Sequence, residues 1–107
     1  MTMKEIDPFA LKQWMDDGSA VLVDVREQDE RARGNIAQDH HMPLSNFNPD
    51  ALSDFEDRVV VYYCASGGRT GMYSPQLAEI TAKARAKEVY HLTGGIMAWK
   101  NAGHGVS

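Results

Sequence analysis

A single cysteine, Cys64, stands in the 107 residues, so no internal disulfide can form; the thiol is free, which suits a reducing compartment. No apolar run approaches the roughly 20 residues that cross a bilayer. The opening segment Met1–Pro8 has no apolar signal-peptide core. The location expected from these features is cytoplasmic, with no membrane partner. Excess positive charge is also missing. At a formal net charge of −4 the chain has no electrostatic reason to bind nucleic acid and would repel anions at long range. Any anion site must therefore be built locally, from backbone amides and one or two placed cations. Linkers, repeats and low-complexity tracts are absent too, and the length argues for one compact domain over residues 1–107.

The hydrophobic pattern is that of short strands alternating with helices. Asp7-Pro8 opens a helix whose apolar positions are Phe9, Leu11, Trp14 and Met15, and Gly18 closes it. Val21–Val25 is a continuous apolar run with one acid, as in a strand buried on both faces. The charged stretch from Glu27 to Arg33 fits one short helix, His41–Leu44 a brief strand, and Asn48-Pro49 the start of a short helix to Phe55. Arg58–Tyr63, β-branched and aromatic, is the clearest strand. A helix is expected from Arg69 to about Ala86, kinked at Pro75. The strand Glu88–Leu92 and a last helix carrying Ile96, Met97 and Trp99 complete an α/β domain around a mostly parallel sheet.

The informative unit is a strand, Cys64, a glycine-rich loop and then a helix. In open α/β sheets ligands bind at the carboxyl ends of strands, where Cys64 falls. Gly67 and Gly68 allow the loop to turn its N–H groups inward. The following helix would add a dipole of about half a positive charge, and Arg69 a permanent cation with a planar fork suited to an oxyanion. All of this favours the thiolate, the nucleophilic form.

Cys64-Ala65-Ser66-Gly67-Gly68-Arg69-Thr70 resembles the active-site loop of the rhodanese family. Leu22–Glu27 resembles the family's second-strand motif, and Leu92–Gly103 its C-terminal signature. The resemblance implies a central, mostly parallel five-stranded sheet with helices on both faces. It implies a sulfurtransferase in which Cys64 takes a sulfane sulfur from a donor such as thiosulfate and passes it, as a persulfide, to cyanide or a thiol. Loop amides from Ala65 to Arg69 would hold the persulfide. Arg69 would bind the donor's sulfonate, and the Thr70 hydroxyl would lie near the sulfur. No metal or organic cofactor is required, and a protein could serve as donor or acceptor. Departures from the family pattern are Gly34-Asn35-Ile36 in place of Gly-His-Ile, Arg31 in place of an aromatic residue, and Ala65 where a second cation often sits.

Asp24 and Arg26 are read as a structural polar pair, because an acid in an apolar strand needs a partner. His40 and His41, adjacent on a strand, would face opposite ways and do not make one metal site. They, His91 and His104 are taken as loop polar residues. Two other functions compete. A cysteine-dependent phosphatase or arsenate reductase would need five residues between Cys and Arg, whereas four separate Cys64 from Arg69. A regulatory module of the same fold would usually have lost the cysteine.

Overall fold

A computed structural model describes residues 1–107. Five strands, β1 (Lys4–Ile6), β2 (Ala20–Asp24), β3 (His40–His41), β4 (Val59–Tyr63) and β5 (Glu88–Leu92), form one sheet in the order β1-β5-β4-β2-β3. Every pairing is parallel. The helices are α1 (Pro8–Asp17), α2 (Gln28–Arg31), α3 (Gly68–Met72), α4 (Ser74–Lys83) and α5 (Gly95–Asn101), with 3₁₀ turns at Leu44–Asn46 and Pro49–Phe55.

Alternation along β4 divides the core into two layers. Val60, Tyr62 and Cys64 face Leu52, Phe55, Leu77 and Ala78. Val61 and Tyr63 face Leu11, Ile96 and Trp99. Helices α1 and α5 therefore cover one face of the sheet, and α4 with the second 3₁₀ turn covers the other. Burial on both sides is why β2 and β4 read as continuous apolar runs. The α1 ends form as expected: the Asp7 carboxylate accepts from the Ala10 amide at 2.8 Å, and Gly18 takes the left-handed conformation with φ 74°.

Three expectations change. The strand expected over His41–Leu44 is only His40–His41, because Pro43 has no N–H for a ladder and Leu44 opens a 3₁₀ turn. The helix expected over 69–86 is two helices, broken at Tyr73. Pro75 has no N–H to continue the ladder, so it sits in the first turn of α4 instead of kinking a longer helix. The Ser74 hydroxyl donates to the freed Gly71 carbonyl at 2.9 Å. Strand β1 was not expected, because Lys4-Glu5-Ile6 has only one apolar residue to signal it. Ile6 is its one buried position. No helix is long and apolar enough to cross a membrane.

Candidate active site

Cys64 follows the last residue of β4, and its side chain is enclosed, with 1% of the residue exposed. The Gly67 amide donates to Sγ at 3.1 Å, and the Thr70 hydroxyl stands 3.6 Å away. Burial pushes the Cys64 thiol up. The Thr70 amide and hydroxyl, with the Gly67 and Arg69 amides, outweigh this and hold it below the ordinary thiol value. The thiolate consequently persists to lower pH than that of a solvated cysteine. Helix α3 has only five residues, so these local donors, rather than a long helix dipole, stabilise the sulfur.

The loop is held from behind by the C-terminal signature. The Ile96 and Met97 amides donate to the Cys64 and Ala65 carbonyls at 2.9 and 3.1 Å. That approach requires glycine at position 95, where φ is +62° and an added Cβ would lie 2.6 Å from the Ala65 oxygen. Gly95→Ala is expected to cost about 2–3 kcal/mol, from left-handed strain and crowding together. It should also slow reaction at Cys64, because the displaced atoms are the loop's own backbone. Thermal melts and Cys64 alkylation rates check both effects.

Not every expected site residue converges on the sulfur. Gly67 and Thr70 do so directly, and Arg69 does so by its amide. Ala65 contributes its carbonyl to the anchoring of the loop. Ser66 and Gly68 lie exposed on its outer turn. The Arg69 guanidinium, expected to hold a sulfonate, instead makes a bidentate pair with Glu30 at 2.6 and 2.7 Å. This bond holds the Glu30 carboxyl down at about 2. Glu30 was missed because it lies in a charged run that reads as a solvated helix. Its capping-box bond to the Glu27 amide at 3.2 Å is the one local signal.

His91 also departs from expectation. It lies on the expected strand Glu88–Leu92 but is not an isolated polar residue: it is 9% exposed, and its Nδ1 is 2.9 Å from the Thr70 hydroxyl. His40 and His41 form β3, a two-residue strand at the sheet edge. The His41 Nε2–H donates to the Arg26 carbonyl at 2.7 Å, and the His40 ring packs on Phe55. His104 lies after α5, with its ring against Trp99.

Asp24 and Arg26 are a buried pair, with Nε and Nη2 of Arg26 each 3.0 Å from the carboxylate. The departures at Arg31 and Asn35 belong to the same network. Arg31 bridges Asp24 and Asp39, Asn35 donates to Asp39 at 3.0 Å, and the Tyr63 hydroxyl donates to Asp39 at 2.5 Å. This network braces α2, which carries Glu30 to Arg69.

Two cavities flank the Arg69–Glu30 pair. One, about 620 Å³, is mostly apolar and lined by Leu44, Phe47, Met72, Tyr73, Leu77 and Arg69, among others. The other, about 210 Å³, includes Ala65, Met97, Glu30 and the cationic residues Arg26, Arg33 and Lys100.

The rhodanese-like domain family matches residues 7–102. The chain belongs to the rhodanese family. An uncharacterized protein of Synechocystis is 38% identical over 98 residues, 92% of this chain, and the chain spans only 52% of that relative's length. A sulfurtransferase of Allochromatium vinosum is 37% identical over 103 residues, covering 94% of this chain and 92% of the relative. Among solved structures, the rhodanese-like domain of an Anabaena protein superposes with a TM-score of 0.76 at 26% identity, over 96% of this chain and 77% of that one. The five-stranded parallel sheet covered on both faces is the rhodanese fold.

Proposed function

We propose that this rhodanese domain is a sulfurtransferase that carries sulfane sulfur as a Cys64 persulfide. The observation that carries the reading is the Cys64 sulfur, which accepts from the Gly67 amide beside the Thr70 hydroxyl and is held toward its thiolate form. The thiolate attacks the outer sulfur of a donor such as thiosulfate. A new S–S bond to Cys64 forms as the donor's own S–S bond breaks, and its electron pair leaves with sulfite. A thiolate or cyanide acceptor then attacks the terminal sulfur and returns the Cys64 thiolate. No net redox partner is needed.

The loop geometry favours this over an oxyanion hydrolase. In that chemistry the arginine closes over a tetrahedral group at the cysteine, whereas Arg69 is turned to Glu30 and is compensated by it. With Arg69 engaged by Glu30, Arg26 by Asp24, and Ala65 uncharged, the cations left beside the loop are Arg33 and Lys100 of the smaller cavity. An anionic donor enters on that side, past Lys100 and Arg33, both of which are exposed. The apolar cavity on the opposite side of Arg69 suits the body of an organic thiol acceptor, small or protein-borne.

Steady-state transfer from thiosulfate to cyanide, followed as thiocyanate, tests the reading. Transfer by the wild-type protein supports it, and an inert protein with both thiosulfate and alkyl persulfide donors overturns it. Lys100→Ala should raise the thiosulfate KM by about 1.5–5-fold, the worth of one exposed charge contact. It should leave use of an uncharged persulfide donor within about twofold. An unchanged thiosulfate KM would contradict entry on the Lys100 side.

A further inference from the structure

A line of polar groups runs from the sheet edge to the sulfur. Glu5 on β1 and His91 on β5 are register neighbours, with the carboxylate 3.7 Å from the His91 Nε2. The other ring nitrogen, Nδ1, is 2.9 Å from the Thr70 hydroxyl. Thr70 is fully buried, and its hydroxyl is 3.6 Å from the Cys64 Sγ and 3.3 Å from the Gly67 carbonyl. A threonine hydroxyl has one proton to give, so it cannot donate to the ring and to the sulfur at once.

We propose that His91 is a positioning residue for the Cys64 sulfur, acting through Thr70, with Glu5 orienting the ring. When Nδ1 bears a proton it donates to the Thr70 oxygen, and the threonine proton turns to the sulfur. When Nδ1 is bare it takes the threonine proton, and the sulfur loses that donor. Glu5 lies on the Nε2 side, so the carboxylate favours a proton there. The neutral ring then leaves Nδ1 bare, and only the imidazolium presents an N–H on both sides. The state that supports the thiolate is therefore the imidazolium, which also adds a positive charge. The proton balance is closed: the Cys64 S–H proton passes to the Thr70 oxygen as the Thr70 proton passes to Nδ1, leaving thiolate and imidazolium.

The groups facing the ring limit what else can bias it. Strand β1 presents Glu5. Strand β4 presents the register neighbour Tyr62, whose hydroxyl is engaged with Thr81 at 2.7 Å. Helix α3 presents Thr70 and Gly71, while its Arg69 is turned to Glu30.

The inference rests on Cys64 as the nucleophile but not on the identity of the sulfur donor, so its test uses alkylation instead of sulfur transfer. The rate of Cys64 alkylation by iodoacetamide is measured from pH 5 to 10 in wild-type, His91→Asn and Glu5→Gln proteins. The asparagine amide can reach Thr70 but does not titrate. With the imidazolium gone, the thiolate transition is expected to move to higher pH, so alkylation near pH 6 falls by roughly tenfold. Glu5→Gln changes an exposed residue outside the loop and should move the transition the same way by a smaller amount. Superimposable profiles for wild type and a folded His91→Asn would overturn the relay. If that variant does not fold, an unshifted Glu5→Gln profile overturns it instead. Loss of sulfur transfer with an intact alkylation shift would count against the proposed function and leave the relay standing.

Discussion

Asp24→Ala is expected to destabilise the domain by about 3–5 kcal/mol, the cost of removing one partner from a buried ionic network. Asp24 is fully buried and takes bonds from Arg26 and Arg31. Its Oδ1 also accepts from the Arg26 amide at 2.9 Å. Alanine would leave the Arg26 guanidinium, itself almost fully buried, with only the Gly34 and Glu30 carbonyls. For a chain of this length each kcal/mol corresponds to about 4–8 °C, so the midpoint of thermal unfolding should fall by more than about 10 °C. A fall of less than about 3 °C would mean that the network is not holding β2 to α2. Because α2 carries Glu30, the variant should also loosen Arg69, which folded protein at low temperature would report as slower Cys64 chemistry.

Cys64→Ser is expected to remove sulfur transfer by a factor of at least about 10³, the scale on which loss of a nucleophile is felt. The substitution keeps the size and the hydrogen-bonding partners of the side chain. Serine does not ionise in this range, however, and the loop amides that hold a thiolate have no anion to hold. Stability should change little, so the loss can be assigned to chemistry by comparing thiocyanate formation with an unchanged thermal midpoint. Transfer retained in the serine variant would place the reacting sulfur elsewhere.

The parts of the fold legible in the sequence were those governed by local rules. Continuous β-branched runs marked β2 and β4, Asp7-Pro8 and Gly18 marked the ends of α1, and Cys64 with Gly67 and Gly68 marked the loop. Strands β1 and β3 were obscure or shortened because two or three residues at a sheet edge leave almost no periodic signal. The break between α3 and α4 was half visible: Pro75 announced a fault, but proline suits a first turn as well as a kink.

The site was legible where it is made of backbone and hidden where it is made of distant pairs. Arg69 reads as a free cation until Glu30, 39 positions away, is seen to hold it. His91, 21 positions from Thr70, reads as an isolated histidine on a short strand. Parallel pairing of β1 with β5 and of β5 with β4 creates the Glu5–His91–Thr70 line, and no spacing in the chain encodes it.

The most direct test of Cys64 as a sulfur carrier is the intact mass of the reduced protein after incubation with thiosulfate or an alkyl persulfide. The expected result is a gain of one sulfur atom, reversed by cyanide and absent in Cys64→Ser. A protein that gains no sulfur from either donor, or gains it equally without Cys64, would contradict the account.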